Sequence, residues 1–220
     1  MPRNPHKKIF SLMILTAVFL RVIFFAQGAA GSSLTLETVC AGLAANVNTT
    51  GEFTQTKTIS AGGRQLKSTG KFIFCPLGIM WRTEKPFPSA LILTPTDMIQ
   101  VSGNGSRSVM SGQDNQIFAN ISQTLSSVFS GNAGELKKRF DCDFSAGADG
   151  AWSVTLVPKD ATIASVMTSL TLRGRSSSSR TSLAFLEMTE TSGNKIGYEF
   201  TDQKYPEELS ANEKQNFFAD

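Results

Sequence analysis

The chain has 220 residues, of which 40% are hydrophobic and 18% charged, and its formal net charge is +3. Four of the 21 basic residues and none of the 18 acidic residues lie in the first 28 positions, so the remainder balances 17 basic against 18 acidic side chains. This balance argues against a nucleic-acid-binding face. The only histidine is His6, so residues 29–220 lack the residue that a Ser-His-Asp device or a histidine-bearing zinc site needs.

The N-terminal segment has the order of a secretory signal. Three basic residues precede an apolar run, Ile9–Phe25, which ends at the small-x-small cleavage pattern Ala26-Gln27-Gly28. Arg21 interrupts the run, so retention as a membrane anchor is the alternative to cleavage. Because the run is shorter than the about 20 residues of a membrane span, we predict a signal peptide at residues 1–28, export to the periplasm, and one domain over residues 29–220.

An amphipathic helix is predicted over about residues 34–48, where apolar residues recur at steps of three and four. The segment Asn48-Thr49-Thr50-Gly51 ends this helix. The apolar period then becomes two, which predicts strands. A first strand near Phe53 leads through the turn Ala61-Gly62-Gly63 into a second strand, whose even-numbered residues from 66 to 74 share one face.

The rest of the chain continues mainly as strands. The pattern predicts helical stretches at about 115–129 and 135–140, and further strands at about 79–83, 90–94, 98–101, 107–110, 140–144, 152–157, 166–173, 181–190 and 195–201. Strands mostly follow one another without intervening helices, so the sheet is expected to be antiparallel. A single sheet of about eleven strands tends to curl.

The most specific segment lies between residues 51 and 98. Phe53 and Gln55 begin the first strand, Gly70 and Phe72 lie in the second, and Trp81 comes five residues after Pro76. This pattern resembles the LolA family of periplasmic lipoprotein carriers, and the similarity extends over roughly residues 34–202. The resemblance implies a mainly β fold with a few helices: an open, strongly curved antiparallel half-barrel of about eleven strands, lidded by helices.

The resemblance also implies a function without catalysis and without a cofactor. Such carriers take triacylated lipoproteins from an inner-membrane transporter and pass them to an outer-membrane receptor. By its spacing, Leu43 matches the family's cavity-facing leucine in the first helix. Two positions differ from the family pattern: Cys75 stands where an arginine usually latches the lid, and Ile79 stands where an aromatic residue often follows the proline.

A curved sheet with one apolar face suits this role on physical grounds. Each buried methylene contributes about 0.8 kcal/mol, so leaving a chain of ~16 carbons in water costs on the order of 12 kcal/mol. A concave apolar surface offsets that cost without a catalysed reaction. The alternative is that the same residues form a closed core. With Leu43 and Ile79, the candidates for the cavity face are Phe53, Phe72, Phe74, Trp81, Leu91, Leu93, Trp152, Leu156, Leu170, Leu172 and Phe185.

Several alternatives remain open at this level. The cargo is a lipoprotein by resemblance, but a glycolipid or a fatty-acyl pigment suits the altered latch equally well. An envelope-stress sensor or scaffold on the same fold is a second class of function. Three cysteines, Cys40, Cys75 and Cys142, leave at least one thiol free, and a Cys75–Cys142 bridge is one arrangement that export permits. We expect a monomer.

Overall fold

The computed structural model describes residues 34–111, 124 and 127–218. The predicted secretory signal and most of the predicted 115–129 helix lie outside the described residues. The first helix, α1, spans Leu36–Ala44 and is shorter than predicted. Its N-terminus is fixed by a capping box. The Thr35 hydroxyl accepts a hydrogen bond from the Thr38 backbone N–H, and the Thr38 hydroxyl accepts one from the Thr35 backbone N–H.

Strands make up most of the described chain, and their number agrees with the prediction. They are β1 Thr49–Thr58, β2 Gln65–Cys75, β3 Gly78–Lys85, β4 Ser89–Leu93, β5 Asp97–Val101, β6 Arg107–Ser111, β7 Phe140–Ala146, β8 Ala151–Pro158, β9 Met167–Ser176, β10 Thr181–Glu190 and β11 Lys195–Lys204. The short helices are α2 Ala133–Arg139, α3 Ala161–Ala164 and α4 Ala211–Gln215, with a 3-10 turn at Ala148–Gly150.

All eleven strands belong to one antiparallel sheet, in the order β6-β5-β4-β3-β2-β1-β11-β10-β9-β8-β7. In the described part of the chain the two end strands, β6 and β7, do not pair, so the sheet is open. The predicted open half-barrel with helices is therefore confirmed. The predicted turn after β1 is confirmed too: Gly62 and Gly63 have φ of 83° and 65°, a conformation that suits glycine.

The sheet is strongly curved. The ring centroids of Trp81 on β3 and Tyr198 on β11 lie 5.7 Å apart, although β1 and β2 separate these strands. In a flat sheet three strand spacings would separate them by about 14 Å. The side chains therefore converge over a concave face. That face carries the main hydrophobic core, which includes Phe53, Phe72, Phe140, Leu156 and Leu172.

A second, smaller cluster lies on the opposite face of the first strands. Ile73, Met80, Ile92 and Ile99 are cross-strand neighbours on β2 to β5, and all are buried. Leu209 and Phe217, which flank α4, pack on this row. The C-terminal segment therefore covers the convex side where this row lies, and β2 to β4 are buried on both faces at the ends that carry Ile73 and Phe74, Ile79 and Met80, and Ile92 and Leu93.

One predicted inward-facing residue is on the wrong side of the sheet. Phe185 pairs with Arg173, whose guanidinium carbon lies 4.0 Å from the centre of the Phe185 ring. Two nearby residues of β10, Leu183 two positions before Phe185 and Leu186 directly after it, belong to the concave core. A β-bulge between Leu183 and Phe185 explains the error, because the extra residue changes which positions face inward.

Candidate functional site

A cavity of about 430 Å³ lies at one end of the concave face. It is bounded by the β2–β3 turn, the β4–β5 turn, the C-terminal end of α1 and the helical residue Phe129. Its lining residues are Ala44, Asn46, Val47, Phe74, Cys75, Pro76, Gly78, Ile79, Leu93, Thr94, Pro95, Phe129 and Ser130. None of these side chains is charged, and the volume is within the range of about 300–1,000 Å³ that is usual for ligand pockets.

A cross-strand row forms the wall of this cavity. Phe74 on β2 pairs with Ile79 on β3, and Ile79 pairs with Leu93 on β4. The strands approach closely here because Gly78, with φ of 140°, begins β3. A Cβ at position 78 would lie 2.0 Å from the Leu93 carbonyl oxygen. Only glycine fits both the conformation and the space, so the wall depends on this residue.

The Phe74 ring separates the cavity from the deeper interior. Its centroid lies 4.5 Å from that of Phe129, 4.6 Å from Phe72, 5.5 Å from Phe200 and 5.9 Å from Trp81. Beyond it, next to Leu43 and Leu183, is a void of only about 10 Å³. The cavity is therefore shallow, with an aromatic floor.

The predicted cavity residues divide into two groups. Phe74, Ile79, Leu93 and the differing latch residue Cys75 line the cavity. The remaining ones belong to the same concave core without lining it, with Leu91 only partly buried. They are Leu43, Phe53, Phe72, Trp81, Leu91, Trp152, Leu156, Leu170 and Leu172. The structure thus places the apolar candidates on one face and brings Phe74, Ile79 and Leu93 to the opening, whereas Cys75 lines the opening and also packs against the second cluster on the convex side. The role of all these residues in binding stays a prediction.

Sequence reasoning missed residues that the loops contribute. Ala44, Asn46 and Val47 line the cavity from the end of α1 and the loop that follows. Ala44 and Val47 were visible as part of the apolar stripe, and Val47 is 60% exposed. Phe129 was visible at the end of the predicted 115–129 helix. Pro95 lines the cavity from the β4–β5 turn.

The helix α1 is fixed over the sheet at both ends. The Asn46 amide donates to the Thr181 carbonyl oxygen at 2.7 Å. Gly42 packs so closely on the same residue that a Cβ would lie 2.2 Å from the Thr181 hydroxyl oxygen. Near the N-terminus, Lys137 of α2 forms an ion pair with Glu37, and its hydrogen bond lowers the pKa of the Glu37 carboxyl. These contacts hold α1 over the sheet.

The thiols of this region are poor nucleophiles. All three cysteines are unbridged, so the Cys75–Cys142 bridge does not form here. Burial raises the pKa of the Cys40 thiol to about 11, and it also raises the pKa of Cys75 and of Cys142. A thiol above its usual pKa is mostly protonated at neutral pH and reacts slowly. In the described residues, no cluster of three His, Cys, Asp or Glu side chains is placed to hold a metal.

A short polar row crosses the otherwise apolar concave face. The Ser68 hydroxyl donates to the Gln55 amide oxygen at 3.2 Å, and the Gln55 amide donates to the Tyr198 hydroxyl oxygen at 2.7 Å. Burial raises the pKa of Tyr198 to about 12. Nearby, the indole N–H of Trp81 is buried and has no hydrogen-bond partner in the part of the chain that the structure describes. The same is true of the indole N–H of Trp152 on the other half of the sheet.

These features define a class of protein: an open antiparallel sheet with an apolar, uncharged cavity beneath helices. Comparison with known proteins agrees. The family model for the outer membrane lipoprotein carrier protein LolA matches residues 46–214. The chain therefore belongs to the LolA family. None of the curated proteins matches the chain. In the described residues, no helix has the length and apolar character to cross a membrane.

Solved structures of similar fold have very low sequence identity to the chain. An uncharacterised conserved protein from Thermus thermophilus is 8% identical with a TM-score of 0.48, covering 81% of this chain and 91% of its own. A LolA superfamily protein from Nitrosomonas europaea is 9% identical with a TM-score of 0.43, covering 85% and 99%. A putative outer membrane lipoprotein-sorting protein domain from Vibrio parahaemolyticus is 8% identical with a TM-score of 0.43, covering 82% and 97%.

Proposed function

We propose that this protein is a periplasmic carrier that shields the acyl chains of lipoproteins during transfer from the inner to the outer membrane. It binds its cargo reversibly and catalyses no reaction. The observation that carries the proposal is the cavity under the end of α1, which is uncharged and has the Phe74–Ile79–Leu93 row as its wall. Such a surface, mostly apolar and without a charged side chain, favours hydrocarbon.

The size of the cavity indicates how loading proceeds. A chain of ~16 carbons gains on the order of 12 kcal/mol when it is fully buried, so partial burial leaves much of that energy unused. The shallow cavity receives the end of a chain, and the Phe74 and Phe129 rings must separate before more of it enters. Opening costs packing energy, which the buried methylenes offset. An inner-membrane transporter and an outer-membrane receptor are the partners that this cycle requires.

Binding of a fluorescent triacylated peptide, followed by anisotropy, tests the proposal. Val47 lines the cavity and is 60% exposed, so Val47→Trp fills the mouth without disturbing the core. We expect this variant to weaken binding about tenfold, equivalent to about 1.4 kcal/mol. Val109→Trp is the matched control, because Val109 is 50% exposed on the opposite face and should leave binding unchanged. Failure of the natural protein to bind the peptide refutes the proposal.

Native mass spectrometry of the protein purified from its own host identifies the cargo. A bound triacylated protein supports the proposal. A bound glycolipid or fatty-acyl pigment, without any lipoprotein, would show that this molecule and not a lipoprotein is the cargo. A stable complex with a membrane signalling protein and no lipid would favour the sensor alternative instead.

A further inference from the structure

We infer that Trp81 and Tyr198 form a hydrogen-bonding subsite for the carbonyl oxygen of an ester-linked acyl chain. The inference rests on the proposed function and specifies its ligand: the protein distinguishes an acyl ester from a hydrocarbon or an ether of the same length. A carbonyl oxygen is the ligand group of the right kind, because it accepts hydrogen bonds and is carried into an apolar interior by its chain.

The first observation is an unsatisfied donor. Trp81 is 8% exposed, and its indole N–H is fully buried with no acceptor among the described residues. A buried donor without a partner is costly, and native proteins rarely retain one without a reason. Because an indole nitrogen donates only, an acceptor must come from outside the described residues.

The second observation is a neighbouring donor. The Tyr198 ring centroid lies 5.7 Å from that of Trp81. Its hydroxyl oxygen already accepts from Gln55 at 2.7 Å, and no described residue accepts the hydroxyl proton. A phenol hydroxyl donates one hydrogen bond and accepts two. Its donor is thus available to the same ligand, and its high pKa keeps the proton in place at neutral pH.

The third observation is continuity with the cavity. Ile79 lines the cavity, and Trp81 is the next inward-facing residue on β3. The Trp81 ring meets Phe74, the cavity floor, edge to face at 5.9 Å. When Phe74 moves aside, the cavity extends to the indole N–H. A ligand in the extended cavity then has hydrocarbon contacts at Phe74 and Ile79 and two hydrogen-bond donors beyond them.

Two glycerides that differ in one group test the inference. 1-Palmitoylglycerol carries an ester carbonyl, whereas 1-O-hexadecylglycerol has the same chain length and head group without it. The affinity of each glyceride for the exported protein is measured by its displacement of diphenylhexatriene, a fluorescent hydrocarbon with no hydrogen-bonding atoms. We expect the ester to bind about five- to tenfold tighter than the ether, the size of one to two shared hydrogen bonds.

The matched variants are Trp81→Phe and Trp152→Phe, because both remove an unpartnered indole from the same concave face. Trp81→Phe should abolish the preference for the ester, whereas Trp152→Phe should retain it. Tyr198→Phe, which keeps the ring, should reduce it. Equal affinities for ester and ether in the natural protein, or equal effects of the two tryptophan variants, would overturn the inference.

An independent measurement needs no variant to be stable. The chain has two tryptophans, so ¹⁵N-labelled protein gives two indole signals. We expect 1-palmitoylglycerol, but not the ether, to shift the Trp81 indole proton downfield. A shift with both ligands would show that the indole senses only packing, and it contradicts the inference. If neither glyceride nor diphenylhexatriene binds, the proposed function itself fails; if all bind equally, only the inference fails.

Discussion

Replacing Phe74 by alanine removes the floor of the cavity. The ring contacts four other aromatic rings and is 6% exposed. A Phe→Ala change in a core costs about 3–5 kcal/mol. Phe74 already borders open space, so less new void is created than at a fully enclosed site. We therefore expect the lower end, about 3 kcal/mol, which lowers the melting temperature by roughly 6–12 °C for a domain of this size.

Ligand binding should recover much of that loss. The Phe74→Ala cavity reaches deeper, so the variant should bind diphenylhexatriene more tightly than the natural protein does. At a free ligand concentration about 100 times its dissociation constant, binding stabilises the fold by about 2.7 kcal/mol. Thermal unfolding with and without the ligand, together with a fluorescence titration, measures both effects.

Phe140→Ala is the control for this experiment. Phe140 belongs to the same core, is 0% exposed and does not line the cavity. We expect an equal or larger loss of stability, about 3–5 kcal/mol, and no gain in affinity for the hydrocarbon. If Phe74→Ala gains no affinity, or if both variants gain it equally, the ring at position 74 does not control the depth of the cavity.

Three further predictions concern the lid, the cavity wall and pH. Asn46→Ala removes the hydrogen bond to Thr181. The backbone amides of α1 should then exchange hydrogen faster, because the free energy of opening falls by about 1 kcal/mol. Asn104→Ala, in an exposed turn, should leave the exchange rates of α1 unchanged. Gly78→Ala should lower the melting temperature far more than Gly105→Ala, because only at position 78 does backbone block the new methyl group; equal shifts would contradict this reason. The pKa of Cys40 is raised from 9.0 to about 11 in the fold, so its contribution to stability is complete below pH 9 and is lost as the pH rises through 11. The free energy of unfolding, measured in urea between pH 8 and pH 11, should show this decline, and the decline should be smaller in Cys40→Ala.

The strands could be predicted from the sequence because each has a period of two between turn residues. Ala61-Gly62-Gly63 and Ser192-Gly193-Asn194 mark their hairpins clearly, and Gly62, Gly63 and Gly193 do adopt positive φ. Which residues of a strand face inward is harder to predict, since this depends on an uninterrupted register. At Phe185 a bulge changed the face, and no local pattern marked that bulge.

The cavity was harder to predict than the core that surrounds it. Composition identifies which residues are apolar, but Phe74 at the opening and Phe72 beneath it follow the same alternation. Whether a residue lines space or packs on a neighbour depends on loops that converge from distant parts of the chain, such as the segment around Val47 and the turn at Pro95. The second cluster was likewise hidden, because Ile73 lies on a face that otherwise carries polar residues.

The covering of the convex face has a consequence for how the cavity opens. Ile73, Met80, Ile92 and Ile99 are sealed by Leu209 and Phe217, and Arg82 and Arg107 hold the same C-terminal segment by hydrogen bonds to Asn216 and to the Phe218 carbonyl. Strands buried on both faces resist bending, because any change in curvature would disturb two packed layers. The cavity wall on β2 to β4 is therefore the rigid side. Loading is therefore expected to displace the other side of the cavity, which is formed by the end of α1 at Asn46 and by the ring of Phe129.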